Sequence, residues 1–320
     1  MSRKPKLSDE DFAALYQAKG PGAVSDVLGC SIRHVHTLRQ EVENRLGIRL
    51  MAPNTSIKED PLPPSEARIE IDDFTDGVVL VGSDAHYWPG YKSTAHRAFV
   101  KFAKDLKPDI IVLNGDALDA PSISRHPPIG WEDAPTLDQE IKLVQERLGE
   151  IAANAGRAQL IWPLGNHDAR FNTRLAMAAP EYRNVEGTRL VHHFPEWRPC
   201  WSVAIGGVNG AIIKHRFKGG IHAAHNNTLW GGRSIVTGHL HSLKVTPFTD
   251  YNGTRFGVDC GTLAYPGGPQ FRYTEDNPLN WRSGFVVLTW RKGRLLWPEI
   301  VAVADEKAGE VEWRGSLITV

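Results

Sequence analysis

Five short apolar runs in this chain each end in a cluster of aspartate, histidine or asparagine, and that recurrence constrains the fold more than any other feature. Val78-Val79-Leu80-Val81 leads into Asp84-Ala85-His86. Asp109-Ile110-Ile111-Val112-Leu113 leads into Gly115-Asp116-Ala117-Leu118-Asp119, and Gln159-Leu160-Ile161-Trp162 into Gly165-Asn166-His167-Asp168. Further on, Ala211-Ile212-Ile213-Lys214 ends at His215, and Ser234-Ile235-Val236-Thr237 at Gly238-His239-Leu240-His241. A continuous branched apolar run reads as a strand buried on both faces. Helical patterns over 94–106 and 136–153 separate the first three runs. Strand, helix, strand, helix, strand predicts right-handed crossovers and an α/β core. Ligands of such sheets bind in the crevice beyond the strand C-termini, so the five clusters are aimed at one rim.

The flanking regions read differently. Over 1–50, Ser8 precedes three acids and Ser31 precedes Val35, Leu38, Val42 and Leu46 at helical spacing, with breaks at Gly20-Pro21-Gly22 and Gly29. Short helix, turn and longer helix is a helix-turn-helix layout, whose second helix would carry Arg33 and Arg39 toward DNA. The alternative is a helical dimerisation or docking module. Residues 51–75, with Pro53, Pro61, Pro63 and Pro64, have the composition of a stiffened linker, which leaves 76–320 as the main domain. After Cys200 the pattern turns to strands and hairpins, with turns at Gly206-Gly207, Asn252-Gly253 and Lys292-Gly293.

Composition excludes several functions. With 37 basic and 37 acidic residues, no global charge draws a polyanion, so any such site is a local patch. Three scattered cysteines, Cys30, Cys200 and Cys260, exclude a Cys-x-x-Cys zinc or redox motif. No apolar stretch approaches the roughly 20 residues of a membrane span, and a cytoplasmic protein is expected.

Taken singly, each polar cluster says little, because a lone histidine is more often structural than a ligand. Together and in this order they resemble the calcineurin-like metallophosphoesterase family, whose pattern is Asp-x-His, Gly-Asp-x-x-Asp, Gly-Asn-His-Asp/Glu, a lone His, then Gly-His-x-His. The resemblance spans about residues 77–245. It implies an α/β (α+β) fold, a two-sheet mixed sandwich flanked by helices, here with a small all-α module in front. The strands after 245 would complete the second sheet. It also implies two divalent metal ions: Asp84, His86 and His241 on one, Asn166, His215 and His239 on the other, and Asp116 bridging. Two cations about 3.5–4 Å apart can neutralise an anionic phosphate ester and generate a hydroxide near neutral pH. Imidazole, carboxylate and amide donors suit Mn, Fe, Zn or Ni, with Mn the first choice. By the same resemblance His167 would protonate the leaving oxygen or stabilise charge there. Asp168 would orient that imidazole, and Asp119 would stand behind the metal ligands.

The protein-phosphatase branch carries Gly-Asp-x-x-Asp-Arg-Gly and Gly-Asn-His-Glu. Here Ala120-Pro121 follows Asp119, and Asp168 replaces the glutamate. The pattern resembles the nuclease and nucleotidase branches instead. The expected activity is phosphodiester hydrolysis in nucleic acid, with DNA as partner. The alternative is a small-molecule or nucleotide phosphoesterase. A non-catalytic DNA-binding scaffold is disfavoured, because all seven ligand positions and His167 are present. Tyr265, Phe271, Arg272, Tyr273, Trp281 and Arg282 form either a base-stacking loop or a packed aromatic corner. His192-His193 and His222/His225 are expected to be structural, and Arg125-His126 lies in a rim insert, 117–135.

Overall fold

Capping decides where the N-terminal helices start. In this computed structural model, which describes residues 7–48, 50, 52, 67–126 and 134–320, the chain divides into two compact units, Met1–Pro64 and Ser65–Val320. In the first, the Ser8 hydroxyl accepts the Asp11 N–H at 3.0 Å, and Asp9, Glu10 and Asp11 face the positive end of α1 (Asp9–Leu28). Gly20 breaks α1 with φ 82°, and Pro21 opens its second piece. Ser31 caps α2 (Ile32–Leu46). Phe12, Tyr16, Val24, Val35, Val42 and Leu50 form the buried core between them.

Arg33 is exposed. Arg39 is drawn inward: its guanidinium lies 6.0 Å over the Tyr16 ring and its Nε is 3.5 Å from Glu43. The ring contact and the ion pair engage the Arg39 side chain, still about one-third exposed, within its own module.

The second unit runs β1 (Ile69–Ile71), β2 (Gly77–Gly82), α3 (Thr94–Leu106), β3 (Ile110–Leu113), α4 (Leu137–Asn154), β4 (Gln159–Pro163), α5 (Asp168–Ala178), β5 (Arg198–Cys200), β6 (Val203–Ile205), β7 (Ala211–Ile213), α6 (Ala223–Gly231) and β8 (Ser234–Thr237). It continues through β9 (Lys244–Asp250), β10 (Gly253–Asp259), β11 (Gly284–Arg291), β12 (Arg294–Leu295), β13 (Glu299–Asp305), β14 (Glu310–Trp313) and β15 (Ser316–Thr319). One sheet has the order β15-β14-β13-β11-β2-β3-β4-β5, with β12 beside β11. The other has the order β1-β6-β7-β8-β10-β9.

Alternation along the central strands makes the sandwich. Leu80, Ile111, Leu113, Trp162, Phe285 and Val287 join the core that includes residues of α3 and α4. Their neighbours Val79, Val81, Ile110, Val112, Ile161, Val286 and Leu288 join the core shared with the second sheet. Each strand buries both faces because consecutive side chains point to opposite sides.

Two boundaries differ from expectation. Ile69-Glu70-Ile71, inside the stretch read as linker, is a strand paired in parallel with β6. Its short period-2 pattern is masked by the prolines before it. Only β9 and β10 of the later strands enter the second sheet. β11 pairs antiparallel with β2, and β13 to β15 extend the first sheet. The reason is the buried free side of β2, which an apolar strand must cover. Residues 127–133 of the rim insert lie outside the described residues, while Arg125 and His126 are exposed. Among the described residues no helix is long and apolar enough to cross a membrane.

Phe285 meets Phe99 and Phe102 edge-on, at 5.2 Å in both cases. Phe285→Ala should cost about 3–5 kcal/mol in urea unfolding followed by tryptophan fluorescence, and Phe285→Leu clearly less. A loss below about 1 kcal/mol for the alanine variant would contradict this account of the core.

Candidate metal centre

The turns after the strands carry the site, and they are strained. Asp84 (φ 53°), His86 (38°), Asp116 (52°), His239 (71°) and His241 (54°) all have left-handed backbones. Such conformations cost about 1–3 kcal/mol each and persist where surrounding structure over-determines them. Backbone ladders hold them: Asp84 N–H donates to Gly115 O at 2.9 Å and His86 N–H to Asp116 O at 3.0 Å. The motif glycines leave room for the acids. A Cβ at Gly165 would strike the Asp116 carboxylate, and one at Gly238 would strike Ser83 Oγ and Asp84 Oδ2.

Three groups of side chains converge, each with potential ligand atoms within 4.8 Å of one another: His86, Asp119 and His167, and the two made of expected ligands, Asp84, His86 and His241, and Asp116, His215 and His239. His215 Nε2 is 3.1 Å from Asp116 Oδ2, and His86 Nε2 is 4.0 Å from the same oxygen. Asp116 Oδ2 thus faces both groups of expected ligands. His241 Nε2 lies 3.1 Å from Asp84 Oδ1. His239 is the exposed member of its group, and its N–H donates to Asp84 Oδ2 at 2.8 Å.

The donor atoms fit metal ions. His86 Nε2, His215 Nε2, His241 Nδ1 and Asn166 Oδ1 are buried without a hydrogen-bond partner. Buried polar atoms are rarely left so, and these are the lone-pair atoms a cation would take. The opposite ring nitrogens are fixed: His215 Nδ1 on Asn114 O at 2.8 Å, His86 Nδ1 on Asp119 Oδ1 at 3.0 Å. That arrangement leaves Nε2 free to ligate. Burial opposes charge on His215, but the Asp116 and Asp84 carboxylates outweigh it and hold its pKa up, at about 10. Burial likewise opposes charge on Asp116, yet the surrounding imidazoles hold its carboxyl well below the usual range. At His86 and His239, by contrast, burial prevails and keeps the imidazoles below their ordinary value.

His167 stands beside both groups of expected ligands. Its Nε2 is 4.0 Å from Asp116 Oδ2, its ring lies 4.7 Å from His86, and its N–H donates to Asp116 Oδ1 at 2.8 Å. Asp119 orients it, with Nδ1 2.9 Å from the Asp119 carbonyl and 3.2 Å from Oδ1. Burial opposes a charge here too, but Asp119 and Asp116 keep the pKa above the ordinary imidazole value.

The expected role of Asp168 is corrected. Its carboxylate accepts from the N–H groups of Asp116 (2.8 Å), Ala117 (3.0 Å), Leu118 (3.2 Å) and Gly165 (2.9 Å), and from Trp162 Nε1 (3.1 Å). These donors point it away from the imidazole and into the strand-end turns. Burial and the Asp116 carboxylate push its pKa up to about 6, against the pull of those N–H groups.

Two neighbours, Arg170 and Glu140, escape a reading of the motifs. Arg170, three residues beyond His167 and so on the same helix face, donates to Asp119 O at 2.6 Å and approaches His167 Nε2 at 3.2 Å. Buried Glu140 accepts the N–H groups of Asp119 and Ala120 at 2.5 and 2.6 Å. Its signal was an acid on the apolar side of a helix. Tyr273 is half exposed, but burial and the charges of Asp119, Asp116 and Asp84 push its phenol up to about 12. In the aromatic segment, Phe271 is buried 5.2 Å from the His86 ring and 5.5 Å from His241, and Trp281 lies 4.4 Å from His241. That part is a packed wall of the site. His192 and His193 bond to Gly187, and His225 packs 5.6 Å from Phe248.

Residues 77–257 match the family model described as calcineurin-like phosphoesterase. The chain is 26% identical over 231 residues to the Gene 54 protein of Mycobacterium phage L5 and 28% identical over 231 residues to that of Mycobacterium phage D29. Each match covers 65% of this chain and 86% of the phage protein. Among solved structures, Vacuolar Protein Sorting 29 from Cryptosporidium parvum aligns with a TM-score of 0.41 and 14% identity, over 78% of this chain and 100% of its own.

If Asp168 ties the turns together, Asp168→Ala leaves four backbone N–H groups and the Trp162 indole N–H without their acceptor and should cost at least about 3 kcal/mol in denaturant unfolding, together with loss of bound metal. A variant of wild-type stability with only a slower rate would restore the orienting role.

Proposed function

We propose, on the premise that the chain belongs to the calcineurin-like phosphoesterase family, that this metal-dependent phosphoesterase cleaves phosphodiester bonds in nucleic acid. The observation that carries the reading is the pair of ligand groups joined at Asp116, with His167 beside them. In it Asp84, His86 and His241 would hold one ion, Asn166, His215 and His239 would hold the second, and Asp116 would serve both. Manganese is the metal we favour for this donor set. When bound, the two ions supply Lewis acidity to phosphate oxygens and acidify an attacking water.

The residues do the remaining work. Asp116 is held between the two ligand groups by the backbone N–H of His167. Asp119 fixes His167 through Nδ1, so Nε2, which accepts from Arg170 in this structure, is the nitrogen that would exchange a proton with the leaving oxygen. Arg170, beside Nε2, is placed to meet the anionic substrate. A nucleic-acid diester is favoured by the nuclease-like pattern of the motifs and by exposed Arg33. One observation favours a small-molecule substrate and a module that only docks: Arg39, the second expected contact, is committed to Tyr16 and Glu43.

A panel with added Mn²⁺ separates these readings: single- and double-stranded DNA, RNA, cyclic nucleotides, bis-p-nitrophenyl phosphate and a phosphopeptide. Turnover of the phosphopeptide alone would refute the diester reading. His167→Ala should retain two metals by elemental analysis and lose about 10²–10⁴-fold in rate. Asp116→Ala should lose both metal and activity. A metal-free His167→Ala protein would make His167 a ligand.

A further inference from the structure

Between Trp197 and Thr249 the chain carries no aspartate or glutamate, while Lys214, Arg216, Lys218, Arg233 and Lys244 all fall within it. In a chain with 37 acids and 37 bases, this stretch is a one-sided segment. Its centre flanks the candidate ligand His215. Arg216, Phe217 and Lys218 are all exposed, and so are Leu229 and Trp230 on α6. Lys214 Nζ lies 5.1 Å and Lys218 Nζ 5.5 Å over the Phe217 ring, and Lys218 Nζ also sits 4.5 Å over Trp230. Trp230 remains 71% exposed even so. Lys218 is anchored at its backbone, whose N–H donates to the buried Asn227 Oδ1 at 2.8 Å. Burial, then the charges of Arg68 and Arg216, lower the pKa of Lys214. Among the described residues no carboxylate pairs with Lys214, Arg216 or Lys218.

We propose that Lys214, Arg216, Phe217, Lys218 and Trp230 form a track for a single-stranded nucleic-acid segment leading to the metal centre. Uncompensated cations suit a polyanion, and open aromatic rings among them suit bases. A backbone-tracking basic groove with aromatic platforms is how strands without paired bases are held. A duplex presents phosphates but hides its base faces, so it would use the cations alone. The track rests on the phosphodiesterase reading, because it names the substrate of that site.

The test is fluorescence anisotropy with a labelled 20-nucleotide oligothymidylate, without divalent metal so that nothing is cleaved. Trp230→Ala should weaken binding about fivefold or more. The Arg216→Ala/Lys218→Ala double variant should flatten the log–log salt slope by about 1.4, at roughly 0.7 per cation on a single strand. A duplex of equal length should be insensitive to Trp230→Ala. If Trp230→Ala fails to fold by circular dichroism, Lys218→Glu at an exposed position carries the test, with a tenfold or greater loss expected. Binding within twofold of wild type for the folded variants, with an unchanged salt slope, overturns the proposal. So does retention on phosphatidylserine vesicles that is lost in these variants while oligothymidylate affinity is not. Hydrolysis of bis-p-nitrophenyl phosphate by the wild-type protein with Mn²⁺ is scored separately. Its failure beside intact strand binding removes the hydrolytic reading and leaves the surface standing.

Discussion

Asp168 is the interaction on which the site depends. It is a carboxylate sealed from solvent, and it accepts four backbone N–H groups from the turns after β3 and β4 and the indole N–H of Trp162 within β4. Those turns carry Asp116, Asn166 and His167. Unpaired N–H groups at this depth would each cost about 1–3 kcal/mol, so one side chain stabilises both turns and fixes the distance between them. The carboxylate adjacent to the proposed acid in sequence is a bracket for the backbone.

The strain in the metal-facing turns follows from the same constraint. Five residues that face the centre sit in left-handed backbone. Parallel strands end at one edge, and side chains from neighbouring strands must be turned inward within two or three residues to meet. Ladder bonds from Asp84 and His86 to the Gly115–Asp116 turn hold that geometry. Asp119 then links the two imidazoles that matter for chemistry, with His86 Nδ1 and His167 Nδ1 at 3.0 and 3.2 Å from one oxygen. Glu140, reaching from α4, holds the Asp119 turn in place. The centre is therefore supported by layers of acceptors that saturate the N–H groups and leave selected lone pairs open.

Much of this was legible beforehand because local chemistry decides it. Apolar runs bounded by polar clusters marked β2, β3, β4, β7 and β8. Caps at Ser8 and Ser31 marked helix starts, whereas the capping box of Thr136 with Gln139 emerged in the structure. The partners of β11 were not legible, since an antiparallel strand beside β2 and a strand in the second sheet have the same apolar pattern. Nor was β1, whose three residues carry too little pattern to outweigh four nearby prolines.

The sequence by itself determined which donor types this protein presents and the order in which strands deliver them, because ligand chemistry and strand period are local properties. Only the tertiary structure decided what stands behind those donors. Asp168 turned to the backbone, Asp119 took the imidazole, and Arg170 and Tyr273 came to the rim. Arg39 folded onto Tyr16, and Phe271 and Trp281 closed over His86 and His241. These outcomes depend on which buried N–H group or ring face is nearest once the sheets have packed, and residues far apart in the chain settle that competition.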